Sequence, residues 1–179
     1  MAAVLFFFAA AALGLAWLAP NHDMPWICAS NDGVAIVGLL LLLAHVLAQK
    51  KAPLAAPKPV LALLAVACTC AAAQRVFGVN LYWGDLLLPL FYFFCFGLAI
   101  IVGRNLSPEH FLILMRVLLG ALFLSAIIGI MQWLQMADGW NIYISGNDGS
   151  RVWGNVNQSN NFGSLCTLGI ALGFYLLWQ

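Results

Sequence analysis

Charge is what this sequence has least of. Seven lysines and arginines and six aspartates and glutamates are all the formal charge in 179 residues, and their balance is +1. A soluble domain is about one quarter charged and about half apolar. Here 7% is charged, 64% is hydrophobic, and the mean hydropathy is +0.98. So few polar groups cannot cover a surface in water, and lipid is the expected solvent. The near-neutral balance also argues against an electrostatic grip on nucleic acid. A Gly-rich phosphate loop, an HExxH helix, a nucleophile elbow and paired metal-binding cysteines are all missing, so no cofactor or metal is expected. Of the five cysteines, Cys28 alone lies in a polar loop, while Cys68, Cys70, Cys95 and Cys166 lie in apolar runs. Cys28 has no evident partner, and CTC at Cys68–Cys70 points its sulfurs to different faces of a helix. No structural disulfide is expected.

Long apolar runs are abundant. A helix rises about 1.5 Å per residue, so crossing about 30 Å of hydrocarbon takes roughly 20 residues. The runs predict six spans: Ala2–Ala19, Gly33–Ala48, Pro59–Ala73, Leu86–Val102, Phe111–Leu134 and Phe162–Trp178. They are continuous, unlike the alternating segments of a membrane barrel. The expected fold is an all-α integral membrane protein, one polytopic domain over residues 1–179. The first run lacks the basic start and the A-x-A site of a signal peptide, so it reads as a retained helix.

Lysine and arginine set the direction. Lys50, Lys51, Lys58 and Arg104 fall in two loops on one side, and Arg116 is near enough to snorkel there. The other side holds Arg75 and Arg151. Both termini are therefore expected in the cytoplasm, with RVWGNVNQSNNFGS, Arg151 to Ser164, facing outward.

That stretch concentrates the polar chemistry. Arg151 stands outside against the charge bias. Gly154 permits close backbone approach. Asn155, Asn157, Gln158, Ser159, Asn160 and Asn161 lead into the sixth span, and a helix N-terminus suits an anion. The residues admit two readings: a phosphate or sugar site, or a solvated loop in which Asn160 or Asn161 is a plain N-cap. Arg75, in QRVFGVNLYWGD, is a second outer cation, and it can pair with Asp85 or be solvated. His45, inside the second span, is either a proton relay or a hydrogen bond to a neighbouring helix. His22 follows the first span in a Pro–Trp loop, and His110 follows Glu109 at a helix start. Asn105-Leu-Ser and Asn157-Gln-Ser match a glycosylation tripeptide, too short a pattern to carry weight.

Arg151, Gly154, Gln158, Asn160, Asn161 and Gly163 together form R-x-x-G-x-x-x-Q-x-N-N-x-G. This resembles the signature of bacterial protein glycosylation ligases, the pilin-type O-oligosaccharyltransferases related to O-antigen ligases and polymerases. Many members have proline where Ser159 stands. HDMPW, His22 to Trp26, and QRVFGVNLYWGD, Gln74 to Asp85, are similar to the family's first and second outer loops. The specific matches lie mainly in residues 150–169.

The resemblance implies an enzyme of the bacterial inner membrane. It would move an oligosaccharide from a polyprenyl diphosphate lipid to a serine or threonine of an exported, pilin-like protein. Arg151 is then expected to bind the diphosphate, with Gln158, Asn160 and Asn161 shaping the loop or touching sugar, and Arg75 second. The family's catalytic histidine lies in a later outer loop, and here no histidine follows His110. The chain is therefore expected to be the N-terminal part of a ligase, inactive alone. The competing readings are a non-catalytic accessory or interaction protein of the membrane, and an O-antigen ligase or polymerase fragment acting on lipopolysaccharide.

Overall fold

The computed structural model describes residues 1–20, 29–49, 54–78, 82–136, 140, 143–144, 152–156 and 159–179. Six α-helices follow one another, with no strand among the described residues: α1 Ala2–Leu18, α2 Ala29–Gln49, α3 Lys58–Val76, α4 Trp83–Asn105, α5 Pro108–Trp133 and α6 Ser159–Trp178. A single 3₁₀ turn, Gly154–Val156, precedes α6. Each helix coincides with one of the six apolar runs. Most extend beyond their run by a few residues, because hydropathy reports only the apolar stretch and the backbone stays helical into its polar ends. Five of the helices are long and apolar enough to cross a membrane, while α1, at 17 residues, sits at the short end of that range.

The ends of the helices follow from local chemistry. Ala19 turns to φ −63°, ψ 125°, the extended conformation that Pro20 imposes on the residue before it, and α1 stops there. α3 opens on Lys58–Pro59 and α5 on Pro108–Glu109; proline's missing N–H costs nothing in a first turn, and an acid there complements the helix dipole. α5 closes through Gln135 at φ 57°, with the Met136 N–H reaching Met131 O at 2.9 Å and the Gln135 N–H reaching Gln132 O at 3.1 Å. A left-handed residue that is not glycine costs about 1–2 kcal/mol. Gln135→Gly is therefore expected to leave stability unchanged or to raise it by up to about 1 kcal/mol, read as an unchanged or higher thermal midpoint in detergent.

Two compact units make up the chain: Met1–His45 with Pro108–Gln179, and Val46–Ser107. In the second, α3 packs on α4, and Gly97 lies where a Cβ would come 2.8 Å from the Leu64 side chain. Asn105, at the end of α4, accepts from the Ala55 N–H at 3.1 Å and donates to Ala55 O at 3.0 Å and Ile101 O at 2.6 Å. Its amide therefore ties the chain before α3 to the end of α4.

In the first unit, the arrangement of polar and apolar groups inverts that of a soluble protein. Phe7, Phe8, Phe123 and Phe174 are exposed, while the largest fully buried side chains include His45, Gln132, Asn155 and Ser125. Leucine gains nothing by leaving lipid for a helix interface, so the interior can hold small and polar side chains instead. The buried polar groups gather at two ends of the unit. At one end, His45 Nδ1 lies 2.8 Å from Ala2 O, and the His45 ring packs on Phe6 at 5.1 Å and on His110 at 4.7 Å between centroids. Of the two sequence readings of His45, this contact supplies the hydrogen bond to a neighbouring helix. At the other end lie the C-termini of α1 and α5 and the N-termini of α2 and α6.

Candidate functional site

The second of these ends is built around side-chain amides. α1 leaves orphan carbonyls at its C-terminus, as every helix does. Asn31, in the first turn of α2, donates both amide hydrogens to them, to Ala16 O at 2.8 Å and Ala19 O at 2.9 Å. Its Oδ1 accepts from the Ser30 hydroxyl at 3.1 Å. Asn155, fully buried in the 3₁₀ turn, donates to Leu18 O at 2.6 Å and to Tyr143 O at 2.9 Å. Two asparagines thus tie the C-terminal end of α1 to the start of α2, to the 3₁₀ turn and to Tyr143.

Gln132 does the same for the signature stretch itself. It is fully buried one residue before the end of α5. Its Oε1 accepts from the Gly154 N–H at 2.9 Å and the Trp153 N–H at 3.3 Å, and its Nε2 donates to Gly154 O at 3.0 Å. One side chain thus satisfies both backbone groups of Gly154, as a neighbouring strand would. Gly154 has φ +58°, and a Cβ there would lie 2.6 and 2.8 Å from the Phe162 ring. A Cβ on Gly129 would also run into Phe162. The Phe162 ring therefore sits in a slot that two glycines, one on α5 and one in the turn, leave open.

Beside this clamp is a cleft of about 320 Å³ where α1, α2, the 3₁₀ turn and α6 meet. Trp17 forms part of its wall, and Asp32, Asn161 and Ser164 bring a carboxylate, an amide and a hydroxyl to it. Asn161 and Ser164 are three apart on α6 and so share a face. Asp32 stands in the first turn of α2, where the helix dipole favours its charge.

Of the residues expected at the site, Asn161 is in this cleft. Because α6 begins at Ser159, Asn160 and Asn161 fall inside its first turn and not at the cap position. The Asn160 side chain, Arg151, Gln158 and His22 lie outside the described residues. The chain just after Arg151 is anchored nonetheless, through Val152 beside Gly129 and through the Trp153 and Gly154 bonds to Gln132. Arg75 belongs to the second unit. It closes α3, and its guanidinium carbon stands 4.9 Å from the centre of the Trp83 ring, a cation–π contact. The Asp85 side chain, its other expected partner, is outside the described residues.

Gln132, Asn31, Asp32 and Phe162 escaped the reading of the sequence. For Gln132 a signal existed: a glutamine in the apolar MQWLQ run has to find a partner inside the protein. No group of three or more His, Cys, Asp or Glu side chains able to hold a metal occurs among the described residues.

The chain is 28% identical to the "General O-oligosaccharyltransferase" of Acinetobacter baylyi over 97% of its own length. It spans 31% of that protein, about a third. The resemblance carried by the signature residues is thus matched along nearly the whole chain. No protein-family model matches, and no solved structure does.

Proposed function

We propose that this chain forms the donor-binding, N-terminal part of an O-oligosaccharyltransferase of the bacterial inner membrane. The carrying observation is the built amide end: Gln132, Gly154 and Asn155 hold the residues that follow Arg151 in a defined conformation, in a chain similar to an enzyme of that name. On this reading the amide end faces the periplasm, as the lysine and arginine distribution requires. The donor is an oligosaccharide on a polyprenyl diphosphate, and the acceptor is a serine or threonine hydroxyl of an exported protein, pilin-like in the simplest case.

The chemistry sets two demands. As the sugar C1–O bond breaks, negative charge collects on the departing lipid diphosphate. A guanidinium at the membrane surface holds such a group through paired, charge-assisted hydrogen bonds. Arg151 has that role. The acceptor hydroxyl also has to lose a proton to a base. No histidine follows His110 in these residues, and we place the base outside them. They therefore bind donor without transferring it.

The test reconstitutes the chain in nanodiscs and measures binding of a polyprenyl diphosphate oligosaccharide, with a pilin acceptor present. Wild type is expected to bind and to give no glycosylated product. Arg151→Ala is expected to weaken binding about ten- to a hundredfold, the equivalent of about 1.5–3 kcal/mol for a partly shielded arginine–phosphate contact. Arg151→Lys recovers part of it, because a point charge lacks the planar fork. Unchanged binding in Arg151→Ala would leave the stretch a structural loop, as an accessory protein requires. Robust transfer by wild type would put the base among these residues, with His22 the first suspect.

A further inference from the structure

We infer that the cleft between α1, α2 and α6 is a sugar subsite, which takes the glycan of the donor while the diphosphate is held elsewhere. The inference rests on the donor-binding reading above. It starts from the charge of the cleft. Among its described lining residues Asp32 is the one charged group, and no lysine, arginine or histidine accompanies it. A carboxylate repels a diphosphate at close range, so the phosphates are not what this cleft is made for. A carboxylate is instead an acceptor with about four lone-pair sites, more than one protein contact uses up. Sugar hydroxyls are donors that fit it.

The other groups complete that chemistry. Asn161 offers an amide, which both donates and accepts, and Ser164 a hydroxyl, which does the same. Trp17 adds an aromatic wall, and the C–H faces of a pyranose pack on such a surface. At about 320 Å³ the cleft is at the small end of the roughly 300–1,000 Å³ typical of ligand sites, a size for the first sugar and not for a long glycan. Asn31, which also borders the cleft, has both amide hydrogens committed to α1 and serves as its frame.

The position agrees with this division of labour. Asn161 belongs to the same signature as Arg151, and the cleft also touches Val156 of the clamped turn. In the donor the first sugar is bonded directly to the diphosphate. One short stretch of chain can therefore serve both groups, through Arg151 at its start and Asn161 at its end.

The experiment compares probes that differ only in the sugar. The chain in nanodiscs is titrated with bare polyprenyl diphosphate, and with polyprenyl diphosphate bearing glucose, N-acetylglucosamine or N-acetylgalactosamine. At least one sugar-bearing probe is expected to bind about tenfold more tightly than the bare lipid. Asp32→Asn and Ser164→Ala should erase that advantage and leave bare-lipid binding unchanged, while lowering the thermal midpoint by no more than about 4 °C, the scale of a lost helix-dipole or hydrogen-bond contact. Arg151→Ala should weaken all four probes together. Equal binding of all four probes by wild type would overturn the sugar subsite and leave the donor-binding reading standing. Equal loss of all four in Asp32→Asn, with the thermal midpoint inside that margin, would overturn it too, since Asp32 would then serve the diphosphate end. Binding of no probe would overturn the donor-binding reading itself.

Discussion

Gln132→Leu is expected to cost about 3 kcal/mol and to release the signature stretch from α5. Leucine nearly matches glutamine in volume, so packing changes little and polarity decides the outcome. The substitution removes the partner of three backbone groups: the Gly154 N–H, the Gly154 carbonyl and the Trp153 N–H. Gly154 is buried, and each buried group left unpaired costs about 1–3 kcal/mol. Hydrogen bonds in membrane proteins average only about 0.6 kcal/mol, because the unfolded chain in lipid finds other partners. Gln132 differs from that average in closing both groups of one buried left-handed residue. Leucine brings no compensating gain, since it is equally at home in lipid. The thermal midpoint in detergent and the binding of lipid-linked glycan should therefore fall together. A Gln132→Leu protein that melts within about 0.5 kcal/mol of wild type would show that the amide does not hold the turn.

The second large effect separates two glycines of the same signature. Gly154→Ala is expected to destabilise by about 2–5 kcal/mol, from about 1–2 for a left-handed alanine and about 1–3 for the forced contact with Phe162. Gly163→Ala is expected to be neutral or stabilising by about 0.5–1 kcal/mol, because alanine suits a helix interior better than glycine. Gly163 lies in α6, and nothing stands within 4 Å of the Cβ it lacks. A double-mutant cycle identifies the steric part. Phe162→Ala alone should be costly, since the ring fills the slot at Gly129 and Gly154. Added to Gly154→Ala, it should cost clearly less than its value alone, because the clash is already gone with the ring. Strict additivity of the two changes would mean that the ring and the turn do not meet. Equal effects of the two glycine substitutions would remove the distinction between a glycine needed for its backbone and one that is not.

Much of the architecture was legible in the residues. Six apolar runs dictated six helices, because a backbone in lipid has to satisfy its own hydrogen bonds and a helix does so within one segment. Pro20, Pro59 and Pro108 stand at helix boundaries, where rules that need no neighbour apply, while Pro89 lies inside α4. The signature from Arg151 to Gly163 was visible as an isolated polar stretch and resembled a ligase motif, a likeness that nearly the whole chain bears out. The partners of the polar groups were not legible. Asn155 looked like one of several amides open to ligand, and the fold spends it on Leu18 O and Tyr143 O. Gln132 looked like an ordinary member of the fifth span and Asn31 lay just before the second, and they fasten the turn and the end of α1. Asp32 was one acid among several, until α2 and α6 set it beside Asn161 and Ser164. The physical reason is range. Hydropathy and proline act within a few residues along the chain, and so the sequence determined by itself that the protein is helical and where its helices lie. A side-chain amide acts over about 3 Å of space, and the group it meets there stands as far as 137 positions away in the chain. Only the packing of α1, α2, α5 and α6 decided which amides became structure and which side chains were left to line a cleft.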